Sequence, residues 1–230
     1  MEEEKIPQSI AIIMDGNGRY AKKNNLPIAI GHKNGCDNLE VILEEVVRLH
    51  IKYFTVYAFS TENWKRSKEE VNNLMSLFHI YMPRILKKAL NNNVKIHFIG
   101  DIESLDEELK NMCYEMINQT KNMTGTIFSI AFNYGSRNEI IRAIKKIKIE
   151  DINNLDEEKF STYLDTNGIK DPDLLIRTSG ECRLSNFLLW QISYSEIYIT
   201  NVFWPEFSID ELHKALSQYS MRERRYGTRV

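Results

Sequence analysis

The stretch that decides the fold is "IAIIMDGNGRYA", Ile10 to Ala21. It opens with five apolar residues, Ile10 to Met14, which have the composition of a buried strand. The chain then changes abruptly to an acid, two glycines and an arginine between Asp15 and Arg19. A strand that ends in this way presents charged and flexible residues at its carboxyl end, where a charged ligand can be held.

Further short runs rich in β-branched and aromatic residues predict the other strands, at residues 53–59, 94–100, 126–132, 173–178 and 196–200. Amphipathic helical patterns lie between these runs, at residues 38–49, 67–90, 136–147 and 209–219. Strands that alternate with helices are typical of an α/β protein. We therefore expect a single domain, residues 1–230, with a central, mostly parallel sheet flanked by helices.

The composition excludes several classes of protein. Lys and Arg total 30 against 32 for Asp and Glu, so the formal charge of −2 argues against a general nucleic-acid binder. The longest apolar runs fall far short of the roughly 20 residues that span a bilayer, and the acidic start "MEEEK" is not a signal peptide. We expect a cytoplasmic protein that can make peripheral membrane contact. Cys36, Cys113 and Cys182 lack the spacing of a disulfide framework or a metal site.

Polar segments follow four of the predicted strands. Asp15 follows the first, residues 60–66 follow the second, residues 133–137 the fourth and residues 177–186 the fifth. In open α/β sheets ligands bind at the carboxyl ends of the strands, so these segments should converge on one rim. Glycine and asparagine also make ordinary turns, but the presence of arginine in or beside all four segments favours a binding site.

The residue types on this rim indicate diphosphate chemistry. Gly16 and Gly18 let backbone amides approach an anion, and a helix that starts near Asn17 points its positive end at the same place. Asp15 would repel a phosphate unless a divalent cation lay between them, and Mg²⁺ commonly binds one or two carboxylates together with phosphate oxygens. Asp15, the glycines and Arg19 therefore predict a Mg²⁺–diphosphate site.

A second cluster, Arg177, Arg183 and Ser185, offers two guanidiniums and a hydroxyl for another diphosphate. Two anionic substrates side by side indicate group transfer. The apolar helix faces fit either a long apolar substrate or an ordinary core, and the sequence does not separate these alternatives.

A dinucleotide-binding site is a rival interpretation. "GNGRYA" fits the pattern G-x-G-x-x-A after a strand, and Asp37 lies where a ribose-binding acid could stand. The helix that this motif would open is interrupted by "NNLP", residues 24–27, and a metal-free Asp15 would face the pyrophosphate. Binding of a nicotinamide cofactor would test this alternative.

Several motifs occur together in a specific order: "MDGNGRYAKK", "GHKNG", "YAFSTENWKR", "NYGSR", "DLLIRTSGECRLSNFLLWQISYSEIY", "VFWPEF" and "RERRYG". In this order, and over nearly the whole chain, they closely resemble the cis-prenyltransferases, in particular the bacterial members that make undecaprenyl diphosphate. The resemblance implies a Mg²⁺-dependent homodimer that adds isopentenyl diphosphate units in cis to farnesyl diphosphate. A non-catalytic accessory subunit of the same fold would lack Asp15 and the Arg-Ser cluster, which this chain keeps.

The resemblance also implies roles for individual residues. Asp15 and Asn63 match catalytic positions, and Asp15 and Glu196 match acids associated with Mg²⁺. Because a neutral amide is a poor base, we expect Asn63 to orient the condensing alkene or relay its proton. The implied substrate-binding residues are Gly16, Asn17, Gly18, Arg19, Tyr20, His32, Ser60, Thr61, Glu62, Trp64, Arg66, Arg177, Arg183, Leu184 and Ser185.

Some positions depart from the family pattern or fit it conditionally. Tyr20 stands where a tryptophan is usual, Ile28 where many relatives have an arginine that contacts the allylic diphosphate, and Cys182 where some have histidine. Glu196 begins its predicted strand, so it reaches the rim only if that strand is antiparallel or the site is completed in another way. In the carboxyl-terminal segment, Arg225 and Gly227 match a tail that reaches the partner subunit's site, and the composition of this segment fits a plain solvated basic tail equally well.

Overall fold

A six-stranded sheet forms the centre of the computed structural model, which describes residues 6–222. Its strands are β1 (Ser9–Ile13), β2 (Tyr53–Ser60), β3 (Lys95–Ile99), β4 (Ile127–Tyr134), β5 (Leu174–Arg177) and β6 (Glu196–Ile199). The spatial order is β3-β4-β2-β1-β5-β6, and every neighbouring pair is parallel. The structure confirms the predicted α/β class and its parallel sheet.

Helices cover both faces of this sheet. They are α1 (Asn17–Lys23), α2 (Ile28–Arg48), α3 (Lys68–Asn91), α4 (Glu107–Thr120), α5 (Ser136–Lys146), α6 (Glu157–Ser161) and α7 (Ile209–Ser220). Short 3₁₀ helices occur at Thr61–Lys65, Ile102–Ser104, Ile149–Asn154 and Trp204–Glu206. Within residues 6–222, no helix is both long enough and apolar enough to cross a membrane.

Helix α2 is longer than the sequence pattern predicts, because it begins at Ile28 rather than at residue 38. Its first turns contain Gly31 and Gly35, which weaken an isolated helix. Here they allow a close approach to Asn17 at the start of α1. A Cβ atom on Gly31 would lie 2.3 Å from the Asn17 carbonyl oxygen, and one on Gly35 would lie 2.4 Å from Asn17 Oδ1. Tertiary packing of α1 against α2 therefore overrides local helix propensity.

Strand β1 lies between β2 and β5 and is buried along its whole length. Ile10 and Ile12 join the larger core cluster on one face of the sheet, and Ala11 and Ile13 join a smaller cluster on the other. Burial on both faces explains why the strand is a continuous apolar run. Because all strands run in the same direction, the residues that follow β1, β2 and β5 reach one edge of the sheet.

Candidate active site

The carboxyl ends of β1, β2 and β5 surround an open cleft of about 570 Å³, hereafter the central cleft. Many of the predicted site residues line it. They are Asp15, Asn17, His32, Ser60, Glu62, Asn63, Arg66, Arg177, Arg183 and Ser185. The structure thus brings together the segments after β1, β2 and β5, although they are far apart in the sequence.

The carboxylate of Asp15 is the centre of a charge network in this cleft. Its Oδ2 lies 2.8 Å from Arg177 Nη2, 3.0 Å from Arg19 Nη2 and 3.9 Å from Arg183 Nη2. Burial by itself raises the pKa of Asp15, but the hydrogen bonds from Arg177 and Arg19 outweigh it and hold the pKa below its usual value. Asp15 is therefore a carboxylate at neutral pH.

Arg177, the last residue of β5, is nearly fully buried, with 4% of its surface exposed. Its Nη1 donates to Ser185 Oγ over 2.9 Å and to the Arg183 carbonyl oxygen, so it links the members of the predicted second cluster. The Nε atom of Arg177 is buried without a hydrogen-bond partner. Arg177 is therefore a positive charge held in place from several sides, and it favours an anionic group in the central cleft that it lines.

The segment after β5 has strained backbone conformations. Ser179, Ser185 and Asn186 have positive φ angles of 77°, 50° and 62°. Such conformations persist only where surrounding structure enforces them, and they concentrate at functional sites. The side chain of Asn186 helps to hold these backbone conformations, because its Oδ1 accepts a hydrogen bond from the backbone N–H of Arg137 and its Nδ2 donates to Glu62 Oε1.

No residue of 133–137, at the end of β4 and after it, lines the central cleft. This segment contacts the cleft-lining Asn186 instead, through the backbone N–H of Arg137. Asn186 was absent from the predicted site. An asparagine next to Ser185 carries no distinctive sequence signal, and its bridging position becomes visible only when β4 and the segment after β5 are placed side by side.

The glycine segment borders a second opening of about 780 Å³, the glycine-loop cleft. Gly16 has φ 107°, and a Cβ there would lie 2.9 Å from both Phe203 Cδ1 and Ser179 Oγ, so only glycine fits. Gly18 instead faces open space, with no atom within 4 Å of a Cβ built on it. Arg19, Lys22, Leu26, Ile28 and Glu70 also line this opening.

His32 borders both clefts and also the apolar cavity described below. Burial lowers its pKa, and the neighbouring charge of Arg66 lowers it further. Glu70, 3.8 Å away, acts in the opposite direction without reversing the shift. The imidazole is therefore neutral at physiological pH and can donate one hydrogen bond and accept another.

Asn63 closes the first turn of the 3₁₀ helix that follows β2. The backbone N–H of Ser60 donates to Asn63 Oδ1 over 2.9 Å, and the Ser60 hydroxyl accepts the Asn63 backbone N–H. This capping box already uses the amide oxygen as an acceptor. The free part of the Asn63 side chain is its NH₂ group, which suits orientation of an oxygen ligand better than acceptance of a proton.

Four predicted substrate-binding residues line neither cleft nor the apolar cavity: Tyr20, Thr61, Trp64 and Leu184. Trp64 packs edge-on against Phe59, and its Nε1 donates to Asn133 Oδ1 over 2.8 Å. The Tyr20 hydroxyl accepts from Asn34, and Leu184 packs on the smaller core cluster. The side chains of Tyr20, Trp64 and Leu184 thus have protein contacts in this structure, and their contact with substrate stays a prediction.

Glu196 lies at the opposite edge of the sheet from Asp15. Strand β6 is parallel to β5, with Glu196 opposite Leu174 and Ile199 opposite Arg177, which places Glu196 roughly 10 Å down the strand from the rim. Its carboxylate pairs with Arg222 over 2.6 Å. The antiparallel arrangement that would bring Glu196 to the rim is therefore absent, and its association with Mg²⁺ stays a prediction that requires the site to be completed in another way. Arg225 and Gly227 lie outside the described residues.

An apolar cavity of about 100 Å³ continues from the central cleft between the sheet, α2 and α3. Met14, Asn17, His32, Ala58 and Leu74 line both spaces. The cavity's further walls come from Gly35, Cys36, Leu39, Phe59, Leu77, Phe78, Tyr81, Met82, Ile85, Phe132 and Trp204. Burial raises the pKa of the Cys36 thiol to about 12, so this wall is uncharged. The sequence pattern of α3 did not distinguish these residues from core.

The family model described as "Putative undecaprenyl diphosphate synthase" matches residues 13–227, which include every strand of the sheet except the first four residues of β1. The chain belongs to this family of cis-prenyltransferases. Membership confirms the resemblance seen in the sequence motifs and removes the ground for the dinucleotide-binding alternative. Short helix α1, which ends at Lys23, agrees with that outcome.

Curated relatives of this cis-prenyltransferase include an isoprenyl transferase from Clostridium acetobutylicum, 50% identical over 96% of this chain and 90% of the relative. The isoprenyl transferase of Clostridium tetani is 47% identical over 99% of this chain and 91% of that protein.

Two solved structures extend the comparison. Lavandulyl diphosphate synthase from Lavandula x intermedia, in complex with dimethylallyl diphosphate, has TM-score 0.94, 34% identity and coverage of 98% of this chain and 100% of the other. A probable undecaprenyl diphosphate synthase from Campylobacter jejuni has TM-score 0.81, 32% identity and coverage of 99% and 100%.

Proposed function

We propose that this cis-prenyltransferase adds isopentenyl diphosphate units to farnesyl diphosphate and releases undecaprenyl diphosphate for the lipid carrier of cell-wall synthesis. The observation that carries the proposal is the continuity of the central cleft with the apolar cavity, past Ala58 and His32. A charged rim that opens into an apolar space is suited to a substrate with a diphosphate head and a hydrocarbon tail.

Each of the two clefts binds one of the two diphosphates. The allylic diphosphate binds in the glycine-loop cleft, where Gly18 borders open space and Arg19 lines the wall. Isopentenyl diphosphate binds to Arg177, Arg183 and Ser185 in the central cleft. Since both clefts share Asp15 and His32, the reacting carbons of the two substrates can meet between them.

The reaction begins when the allylic C–O bond breaks and the diphosphate leaves with the bonding electrons. Arg19 and the adjacent amides stabilise the charge that develops on the leaving group. The alkene of isopentenyl diphosphate attacks the allylic carbon, and loss of one proton restores a double bond in the cis configuration. The Asn63 NH₂ group donates to a diphosphate oxygen of isopentenyl diphosphate and so orients its alkene, and a diphosphate oxygen takes the proton.

A Mg²⁺ ion fits the donor set if phosphate oxygens complete its coordination. The described residues, 6–222, contain no group of three His, Cys, Asp or Glu side chains that could hold a metal alone. Asp15 supplies one carboxylate, and the buried Asn17 Oδ1 has no hydrogen-bond partner. We propose that Asp15 holds the ion; when bound, Mg²⁺ supplies positive charge to the leaving diphosphate.

We also propose a homodimer that works in the cytoplasm and contacts the membrane to release its apolar product. The edge strand β6 supports a second copy, because Ile197 and Ile199 expose 42% and 37% of their surfaces and the adjacent Tyr194 exposes 75%. Such edges and apolar side chains are usually covered by a partner. A second copy is also a route by which Glu196 could complete a neighbouring site.

The test is incubation of the purified protein with farnesyl diphosphate, radiolabelled isopentenyl diphosphate and Mg²⁺, with an EDTA-treated sample as control. We expect a ladder of products that ends at undecaprenyl length and disappears with EDTA. A single condensation product would refute the chain-length proposal, and EDTA-resistant incorporation would refute the Mg²⁺ proposal. Sedimentation of the same sample measures the oligomeric state.

A further inference from the structure

The cations that line the two clefts differ in whether a carboxylate already neutralises them. Five cationic side chains line these clefts: Arg19, Lys22, Arg66, Arg177 and Arg183. Each of the four guanidiniums has an ion-pair partner: Asp15 for Arg19 and Arg177, Glu70 for Arg66 and Glu181 for Arg183. Lys22 is the remaining one, and it forms no ion pair or side-chain hydrogen bond with any residue in 6–222.

The difference matters for anion binding. A guanidinium that binds phosphate must share or release its carboxylate, and the carboxylate then repels the same phosphate. The Lys22 ammonium meets an anion without either cost. Its compact charge and three rotatable donors can also follow a phosphate that is not held in a fixed bidentate geometry.

Lys22 lies on the face of α1 that borders the open part of the glycine-loop cleft. Lys22 follows Gly18 by four residues on α1, so the two lie on the same face of the helix. A Cβ at Gly18 would have no neighbour within 4 Å, so this face borders open space. Leu26 and Ile28 also line this cleft and carry no charge.

We propose that Lys22 binds the allylic diphosphate directly and supplies the unneutralised positive charge of the glycine-loop cleft. This inference rests on the proposed function, because it assigns a ligand contact within that function's allylic site. Ile28 lines the same cleft without a charge, so Lys22 supplies a cation that this neighbour does not.

Lys23 is a matched control next in the sequence. Its ammonium is 3.2 Å from Glu206 Oε1 and 5.5 Å from the centre of the Phe203 ring, and it does not line the glycine-loop cleft. Lys22→Gln and Lys23→Gln remove the same charge from adjacent positions of one helix. A general loss of positive charge affects both variants, whereas a direct contact affects Lys22→Gln alone.

The experiment measures binding of farnesyl diphosphate, dimethylallyl diphosphate and inorganic pyrophosphate by calorimetry, without isopentenyl diphosphate, and steady-state kinetics for both substrates. For Lys22→Gln we expect Kd and KM for farnesyl diphosphate to rise about five- to tenfold, with KM for isopentenyl diphosphate unchanged. The fold-change in Kd should be equal for all three probes, because they share only the diphosphate. It should shrink as salt concentration rises.

Two further variants test the charge itself. Lys22→Arg should keep Kd for farnesyl diphosphate within about threefold of the parent, because the charge remains. Ile28→Arg introduces a cation at another position that lines the glycine-loop cleft, so the double variant with Lys22→Gln should recover most of the lost affinity. A recovery of this kind does not follow if Lys22 only stabilises α1.

The outcomes separate this inference from the proposed function. If the parent protein makes product and Lys22→Gln binds all three probes as tightly as Lys23→Gln does, the Lys22 contact is wrong and the proposed function stands. If Lys22→Gln raises KM for both substrates equally, the assignment to the allylic site is wrong. If the parent protein binds none of the probes and incorporates no isopentenyl diphosphate, both fail together.

Discussion

Replacement of Asp15 by asparagine tests the centre of the charge network with little change in shape. The substitution removes the charge that pairs with the buried Arg177 at 2.8 Å and with Arg19 at 3.0 Å. Arg177 keeps its hydrogen bonds to Ser185 and to the Arg183 carbonyl oxygen, so it is not left without partners. The side chain of Asp15 is 24% exposed, and solvent therefore screens part of the loss.

From these contacts we expect the free energy of unfolding to fall by about 1–3 kcal/mol, less than for a fully buried pair. For a domain of this size, that loss lowers Tm by about 2–10 °C, so the variant remains folded. Turnover should fall much further, by about a hundred- to a thousandfold, because the lost carboxylate acts where charge develops in the reaction. Calorimetry and the incorporation assay with Mg²⁺ measure the two effects on one preparation.

The pH dependence gives an independent check of the network. The pKa of Asp15 is lowered from 3.8 in the folded protein, so at acidic pH the folded state binds fewer protons than the unfolded state does. The stability that Asp15 contributes is therefore fully present above about pH 4–5 and is lost as pH falls through the lowered folded pKa. The stability difference between parent and Asp15→Asn should be constant near neutrality and should shrink in acid.

The matched control is Glu206→Gln, which removes a carboxylate from the exposed pair with Lys23. We expect its Tm and turnover to stay close to those of the parent. If Asp15→Asn retains turnover within about tenfold of the parent at saturating Mg²⁺, the reasoning about Asp15 as the metal-associated acid is refuted.

Further changes probe the rest of the site. Arg183→Ala should raise KM for isopentenyl diphosphate about tenfold and leave KM for farnesyl diphosphate unchanged, which steady-state kinetics with each substrate varied will show. Asn63→Ala should lower kcat about ten- to a hundredfold because the cap of Ser60 and the orienting amide are lost together; Asn63→Asp, which can still accept the Ser60 N–H, should retain more thermal stability but not recover kcat. Ala58→Leu should shorten the products, as sized by chromatography, because this side chain lies where the central cleft meets the apolar cavity.

The general architecture could be predicted from the sequence, because the patterns that indicate strands and helices are local. The apolar run of β1 and the alternation of strand and helix patterns predicted the parallel sheet, and the rule that ligands bind at carboxyl ends predicted the rim. The expectation that the segments after β1, β2 and β5 meet at one rim agrees with the cleft that Asp15, Asn63, Arg177 and Ser185 line together. Their hydrogen-bond partners were not predictable, because the partners lie far away in the sequence; Asp15 and Arg177, for example, are 162 residues apart.

Errors arose where packing decides the outcome. Helix α2 extends back through Gly31 and Gly35 because Asn17 packs against it, a contact that local propensity does not register. The packing of the Trp64 ring against Phe59 and the hydrogen bond of its Nε1 to Asn133 likewise carry no sequence signal, and its substrate contact stays a prediction. A side chain's direction depends on its surroundings as well as on its residue type.

The sequence by itself determined the fold class, the family and the residue types gathered at the rim, since periodicity and ordered motifs are properties of the chain. Only the tertiary structure decided which cations are neutralised, which faces of α2 and α3 line a cavity rather than core, and at which edge Glu196 lies. Those outcomes depend on distances between segments remote in sequence, and charge pairing and cavity formation vary with separations of a few ångströms. Lys22 shows the difference: in the sequence it is one lysine of a pair, and in the fold it is the cation of the clefts that no carboxylate within residues 6–222 holds.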